Sequence, residues 1–348
     1  MNRAVTEAYR CPYTGEKLRL EVKDEGVQGE VMQGSMTSAA GLRFPVRDGI
    51  PHLIQADLET YSEEEKREKE YYEATSRSYD AAMDWLFKSF SENEDAVRGR
   101  MVDLLEIQPS HRVLETGAGT CRDTVYISQR LGPKGEMFVQ DLSPSMLTIG
   151  RERIRRNGLL DGSNGRTEFF IGNAIRLPFH DGFFDAAFHF GGLNLFTDKK
   201  RALAEMARVV RVGGKVVIGD EGVAPWHRQS EYGAILINSN RLYGHTAPMD
   251  CVPESAREVC LRWVLGNAFY LIDFRVGEGT PKIDLDLPIQ GQRGGTHRTR
   301  FYGTLEGVTI EAKKMAQAAA EASGLTMHEW LDRAVRGEAT RVLKKSTS

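Results

Sequence analysis

The sequence predicts an α/β protein: a doubly wound, mostly parallel sheet, preceded by a small β module and followed by a helical tail. Three observations carry this. Between residues 111 and 220, short apolar runs alternate with helical stretches, so that a strand recurs roughly every 20–30 residues, the rhythm of βαβ units. One of those strands runs directly into a glycine-rich turn and then a helix. The composition, 41% hydrophobic and 27% charged over 348 residues, lies in the globular range and amounts to about two domains.

Taken in order, residues 1–56 are rich in turn residues and short alternating runs such as Leu18 to Val22 and Leu42 to Val46, which predict a small β module. Residues 57–108 form a helical linker or lid. There the charge run Glu63 to Glu70 reads as a solvated helix face, and Met83, Leu86, Phe87 and Phe90 share one stripe. The central domain spans 109–310, with strands expected at 112–115, 137–141, 167–171, 184–188 and 215–220 and helices at 122–131, 145–156 and 199–210. Residues 221–268 lose the rhythm and read as a substrate-side insertion. Later strands are expected at 269–276 and 300–304. The tail, 311–348, reads as two helices split at Ser323 to Thr326, with a short strand beginning at Val308.

Lys and Arg total 46 against 49 Asp and Glu, a net charge of −3. That balance counts against a nucleic-acid binder working by bulk charge. No apolar run approaches the roughly 18 residues of a membrane span, and the N-terminus lacks the apolar core of a signal peptide. The expectation is a cytoplasmic enzyme without a membrane partner. Cys11, Cys121, Cys251 and Cys260 have no paired spacing, so neither a disulfide framework nor a zinc site is expected, and no metal is assigned.

Val113 to Cys121 is the strongest constellation, a buried strand turning through Gly117-Ala118-Gly119 at the edge where such sheets bind nucleotide-like ligands. A dinucleotide fingerprint would place a third glycine at 122, where the chain has Arg122. Glu115 beside the turn would repel a pyrophosphate and suits a ligand with an ammonium and a sulfonium. Asp141 and Leu142 close the next strand, 22 residues beyond Gly119, where a carboxylate can accept both ribose hydroxyls. Asn173 and Ala174 follow the third strand, where an amide can meet an adenine edge. Arg211-Val212-Gly213-Gly214 precedes the fifth strand.

In order and spacing these segments resemble the class I S-adenosylmethionine-dependent methyltransferases over roughly residues 105–220. The resemblance implies a Rossmann-like methyltransferase fold and S-adenosyl-L-methionine as cofactor. It further implies that Glu115, Gly117, Ala118 and Gly119 meet the methionine half, Asp141 and Leu142 the ribose, and Asn173 and Ala174 the adenine. Cys121, Thr116 and Asn173 depart from the family's commonest residues without removing a charge the cofactor needs. Tyr72 and Tyr79 resemble the tyrosine-bearing entry segment of quinone-type methyltransferases, which implies a tyrosine over the cofactor pocket.

Two flanking segments bear further resemblances. Arg10 to Gly15 and Phe44 to Ile54 resemble the small zinc-ribbon proteins that activate certain methyltransferases, with the zinc ligands replaced by Thr14 and Ser38-Ala39-Ala40. Some ribosomal-RNA methyltransferases carry a zinc module in this position, the main support for an RNA-directed alternative. Val308 to Leu331 faintly resembles the strand–helix–helix of ribbon-helix-helix proteins. Lacking basic residues on the strand, it favours self-association, and hence a homodimer, over DNA binding.

Methyl transfer from a sulfonium demands in-line placement, with a general base where the nucleophile is a hydroxyl or carbon. His189, after the fourth strand, is the first candidate base or substrate contact, and His227 a second. The segment His189 to Asn194 lacks the Asn/Asp-Pro-Pro-aromatic motif of adenine- and glutamine-directed enzymes. Tyr72, Asn194, Trp226, Tyr232, Arg241 and Arg298 are candidate substrate contacts. Glu221 belongs to the same expected insertion. The reading is methyl transfer to oxygen or carbon of a small molecule. The alternatives are an RNA methyltransferase and a non-catalytic scaffold of the same fold.

Overall fold

A computed structural model describes residues 1–26, 29–59, 61, 63–303 and 307–345. It comprises two compact units, Met1–Thr280 and Pro281–Ser348.

The first unit opens on an antiparallel sheet in sequential order: β1 (Arg19–Glu25), β2 (Val31–Thr37), β3 (Arg43–Arg47) and β4 (Ile50–Pro51). Helices α1 (Glu63–Ser89) and α2 (Glu94–Asp103) follow. Lys66, Arg67 and Glu70 of the charge run are exposed, and its other acidic and basic side chains lie outside the described ones. The main layer then alternates β5 (Arg112–Thr116), α3 (Arg122–Ser128), β6 (Glu136–Asp141), α4 (Pro144–Arg156), β7 (Arg166–Ile171), β8 (Phe184–Phe190), α5 (Lys199–Val209) and β9 (Val210–Glu221). After α6 (Glu231–Ser239) come β10 (Ala256–Val264) and β11 (Phe269–Val276). The seven strands stand in the order β10-β11-β9-β8-β5-β6-β7, parallel from β9 to β7, with an antiparallel pair on the β9 side.

Local chemistry sets these elements. Val113 and Leu114 of β5 are fully buried, as a strand covered on both faces requires. Helix α4 starts where Ser143 accepts the Met146 N–H and Pro144 takes the first turn. Helix α5 starts on Asp198, which accepts the Arg201 N–H. Charge is buried between β9 and β11, where Lys215 Nζ sits 2.6 Å from an Asp273 oxygen.

The N-terminal module does not stand apart as a domain ending at 56. Tyr9 is fully buried against Phe138, Phe170 and Phe179 in edge-on and tilted contacts, so module and main sheet share one core. The backbone continues the union: Leu53 N–H donates to Ile171 O at 2.7 Å beside β7. Among the described residues no His, Cys, Asp and Glu cluster could hold a metal.

Four expected elements differ. The helix expected to 131 ends at Ser128, where Gln129, Arg130 and Leu131 close it with turn hydrogen bonds. The insertion at 221–268 contributes β10 to the sheet, because Trp263, Leu261 and their neighbours pair along β11. Residues 297–302 form helix α7 (His297–Tyr302), not a strand, since Thr296 and Thr299 make a reciprocal capping box; Thr304 of that expected strand lies outside the described residues. The strand expected at Val308 is absent: Thr309 caps α8 (Ile310–Ala322) directly, followed by α9 (Met327–Lys345). With it goes the element on which the ribbon-helix-helix resemblance depended. Helices α7, α8 and α9 belong to the second unit, so the compact boundary falls at 280 rather than 310. No helix among the described residues is long and apolar enough to cross a membrane.

Candidate functional site

The site begins at the carboxyl end of β5. Gly117, Gly119 and Cys121 adopt left-handed φ of 63°, 52° and 61°, winding the chain from strand into α3. Two side chains from the end of β6 hold this turn. Gln140 Oε1 accepts the Gly117 N–H at 3.1 Å, while its amide nitrogen donates to Gly172 O beyond β7. Asp141 accepts the Gly119 N–H at 2.7 Å on one oxygen and the Ser143 N–H at 2.8 Å on the other. An ionised carboxylate has about four acceptor sites, so this one keeps acceptor capacity for a ribose hydroxyl beyond its backbone donors. Burial pushes the Asp141 carboxyl up, against the backbone donors that pull it down.

The turn opens on a cavity of about 240 Å³ lined by Gly117, Ala118, Gly119, Asp141, Leu142, Asn173 and Ala174. Asn173 lends its amide nitrogen to a Glu59 oxygen at 2.7 Å and its oxygen to the Ile175 N–H at 3.2 Å.

Helix α1 forms another wall with Tyr72, Tyr79, Met83, Leu86 and Phe87. Tyr79 lies against Gly119, its Cε1 3.9 Å from where a Cβ would stand. Polar groups dock the helix here. Asp80 accepts the Thr120 hydroxyl at 2.8 Å and pairs with Arg122 and Arg153, and Glu73 receives the hydroxyls of Ser143 and Ser145.

Beneath the turn, buried Arg98 donates to Glu94 and to Asp123, each at 2.6 Å. Asp123 Oδ1 is buried without a hydrogen-bond partner. Both residues line the cavity. An unsatisfied carboxylate oxygen beside a guanidinium fits the ammonium and carboxylate of a methionine moiety, so the residues present suit S-adenosylmethionine. Glu115 does not line the cavity. It is 2% exposed, its carboxyl receives the Thr124 hydroxyl, and burial pushes it well up. The neighbour that does line it, Asp123, comes from the next helix, eight residues along.

His189 at the end of β8 lines the cavity. Its Nδ1 lies 2.8 Å from Thr116 O, which assigns the proton to Nδ1 because a carbonyl can only accept. Nε2 is buried and without a partner. Burial lowers the imidazole pKa, so the ring is neutral at neutral pH. Phe190, Phe196 and Phe269 complete this side, together with Glu221 from the end of β9.

The other candidates within the first unit do not converge. Asn194 is buried behind the cavity: its backbone N–H donates to Asp220 and its amide to Glu221 O at 2.7 Å. Trp226 is 62% exposed and meets Trp263; His227 meets Tyr232, whose hydroxyl donates to Gly266 O at 2.6 Å. Arg241 lies in a 3-10 turn outside the lining residues. Arg298 belongs to the second unit and pairs with Asp286 at 2.8 Å. Sequence reasoning missed Arg98, Asp123, Gln140 and Phe269. Gln140 alone carried a signal, standing next to Asp141 at a strand end.

Comparison with known proteins places these features. Residues 60–222 match the model of the ubiE/COQ5 methyltransferase family. The chain is 33% identical over 157 residues to the ubiquinone/menaquinone biosynthesis C-methyltransferase UbiE of Pasteurella multocida, covering 45% of this chain and 56% of that one. It is 31% identical over 186 residues to the same-named protein of Xanthomonas oryzae pv. oryzae, covering 53% and 70%. The chain thus spans 56% of the first relative's length and 70% of the second's. Among solved structures, phosphoethanolamine N-methyltransferase 2 of Haemonchus contortus, in complex with S-adenosyl-L-methionine, superposes with TM-score 0.45 at 13% identity over 56% of each chain.

Proposed function

Since the chain belongs to the ubiE/COQ5 methyltransferase family, whose cofactor is S-adenosyl-L-methionine, we propose that it methylates a ring carbon of a small hydroxylated aromatic, a quinol-type acceptor. The observation that carries this reading is a single cavity lined both by the Gly117–Gly119 turn and by the aromatic side chains of Phe190, Phe196, Phe269, Tyr72 and Tyr79, with the neutral imidazole of His189 against Gly117. The two UbiE relatives named above are C-methyltransferases, which favours carbon over oxygen.

The bound cofactor supplies a sulfonium-activated methyl group, so this chain's work is placement and proton handling. Asp141 holds the ribose, Asn173 and Ala174 border the adenine, and Asp123 with Arg98 takes the methionine end. His189 Nε2, whose lone pair is free because Nδ1 carries the proton, takes the acceptor's hydroxyl proton as the ring carbon gains the methyl. The proton returns to that oxygen when the ring carbon sheds its own, restoring the aromatic ring. One proton is released per methyl transferred.

The cavity's charges weigh against RNA as acceptor: Arg98 is held by Glu94 and Asp123, and Arg122 by Asp80, Asp84 and Glu94. The scaffold alternative gives no role to the unpartnered Asp123 Oδ1 and His189 Nε2. The test is incubation with methyl-13C-labelled cofactor and 1,4-naphthohydroquinone kept reduced, with separate total RNA. A carbon-bound methyl resonance on the ring is expected. A methoxy resonance, or label confined to RNA, overturns the proposal.

A further inference from the structure

The loop after β7 that borders the cavity is gripped by residues from the start of the chain. Asn173, Ala174 and Ile175 line the cavity. The Asn173 carboxamide is engaged at both ends: its nitrogen donates to a Glu59 oxygen at 2.7 Å, and its oxygen accepts the Ile175 N–H at 3.2 Å. Glu59 presents an acceptor and Ile175 a donor, so the carboxamide has one orientation. Each end keeps half its capacity, one N–H and one oxygen lone pair, the pattern that complements an adenine edge. Glu59 is fixed in turn by the N-terminal module. Its side chain is 3% exposed, and its other oxygen accepts the Tyr13 hydroxyl at 2.6 Å and Arg176 Nη1 at 3.4 Å. The Tyr13 oxygen accepts the Gln55 N–H at 2.9 Å, and its ring lies parallel to Phe44 of β3 with centroids 6.3 Å apart. The Arg176 guanidinium sits over the Tyr13 ring, 5.3 Å from its centroid.

Resting on the placement of adenine beside Asn173, we infer that Glu59 is a positioning residue of the cofactor site: clamped by Tyr13 of the N-terminal module, it holds the Asn173 carboxamide in the orientation that takes adenine and refuses a 6-oxopurine. Adenine carries a donor at N6 and an acceptor at N1. A 6-oxopurine carries an acceptor at O6 and a donor at N1, so it needs the carboxamide reversed. Reversal would set the Asn173 oxygen against the Glu59 oxygen and its nitrogen against the Ile175 N–H, acceptor on acceptor and donor on donor. Tyr13 and Glu59 precede the family-matching residues 60–222, and Asn173 falls within them. The clamp is therefore supplied by the part of the chain that lies outside the family match, and it gives the N-terminal module a role at the cofactor rather than at the acceptor.

The test is calorimetric binding of S-adenosylhomocysteine and of its deaminated analogue, S-inosylhomocysteine, to the full chain. The wild type is expected to prefer the adenine form at least about ten-fold, the discrimination of one well-paired carboxamide. Glu59→Ala leaves only the Ile175 N–H opposing reversal, so the preference should fall to about three-fold or less. Tyr13→Phe, which removes the hydroxyl and keeps the ring, is the milder variant and should lower the preference less. The preference is a ratio measured on one variant, independent of its folded fraction, so a loss of stability alone does not move it. Asn173→Ala should abolish the preference, and adding Glu59→Ala to it should change the ratio no further. Equal binding of the two ligands by the wild type, an undiminished preference in Glu59→Ala, or a further change on adding Glu59→Ala to Asn173→Ala overturns the assignment. A preference lost in Asn173→Ala and kept in Glu59→Ala leaves adenine beside Asn173 and refutes the clamp alone. A preference kept in Asn173→Ala refutes the adenine placement and the clamp with it. The expected pattern together with no methyl transfer to any hydroxylated ring leaves the clamp standing and refutes the proposed reaction instead.

Discussion

Replacing Gly117 by alanine joins the glycine turn to the candidate base in one measurable quantity. At φ +63° an alanine sits in the left-handed region, a cost of about 1–2 kcal/mol. Its Cβ would stand 2.9 Å from His189 Cε1 and 3.1 Å from Nδ1, closer than carbon atoms tolerate. The ring has little room to yield: it is 1% exposed, tied to Thr116 O at 2.8 Å, and flanked by Phe196 with ring centroids 5.3 Å apart. Overpacking of such a site adds about 1–3 kcal/mol, for a total of about 2–5 kcal/mol. Gly119→Ala provides the control, since its φ of +52° carries the same backbone cost while the nearest atom, Tyr79 Cε1, is 3.9 Å away. Urea unfolding of the two variants is therefore expected to differ by the steric part alone. A double-mutant cycle with His189→Ala should recover about 1–3 kcal/mol of the Gly117→Ala loss, because the obstructing ring is gone. If Gly117→Ala costs no more than Gly119→Ala, or if the cycle is additive, the contact between turn and imidazole does not exist in solution.

Asp141→Ala removes the carboxylate offered to the ribose, and each charged hydrogen bond lost is worth about 1.5–3 kcal/mol, so cofactor affinity by calorimetry should fall at least about ten-fold; unchanged affinity would place the ribose elsewhere. Glu168, buried beneath the N-terminus where the Asn2 N–H reaches it, is pushed by that burial from 4.5 up to about 7. Between those values the folded state binds a proton that the unfolded state lacks, so stability falls as pH rises across the interval. Urea midpoints measured across the same interval should show that decline in the wild type and lose it in Glu168→Gln.

Much of the cofactor side was legible in the sequence. Strand burial and glycine backbone needs are local properties, so Val113 to Gly119 and Phe138 to Asp141 announce a strand, its turn and the carboxylate at the next strand end. The acceptor side was not. Trp226, His227, Tyr232 and Arg241 are chemically suited to a substrate but follow a strand whose return through β10 and β11 turns them away from the cavity. Whether 221–268 covers the site or extends the sheet depends on pairing with β11, a contact between segments that no short window reveals. Arg298 shows the same limit at longer range, since a polar loop reads alike in either compact unit.

By itself, then, the sequence determined the α/β class, the order of the parallel strands' segments and the glycine turn with its downstream Asp141. These follow from apolar periodicity and from backbone conformations that few residues adopt. Only the tertiary structure decided that Asp123 rather than Glu115 faces the cavity, that the N-terminal module shares the main core through Tyr9, and that Glu221 at the end of β9 stands in the cavity wall. The physical reason is common to all three. Burial and unsatisfied polar atoms are set by which elements pack together, and a side chain's protonation and reach are consequences of that packing.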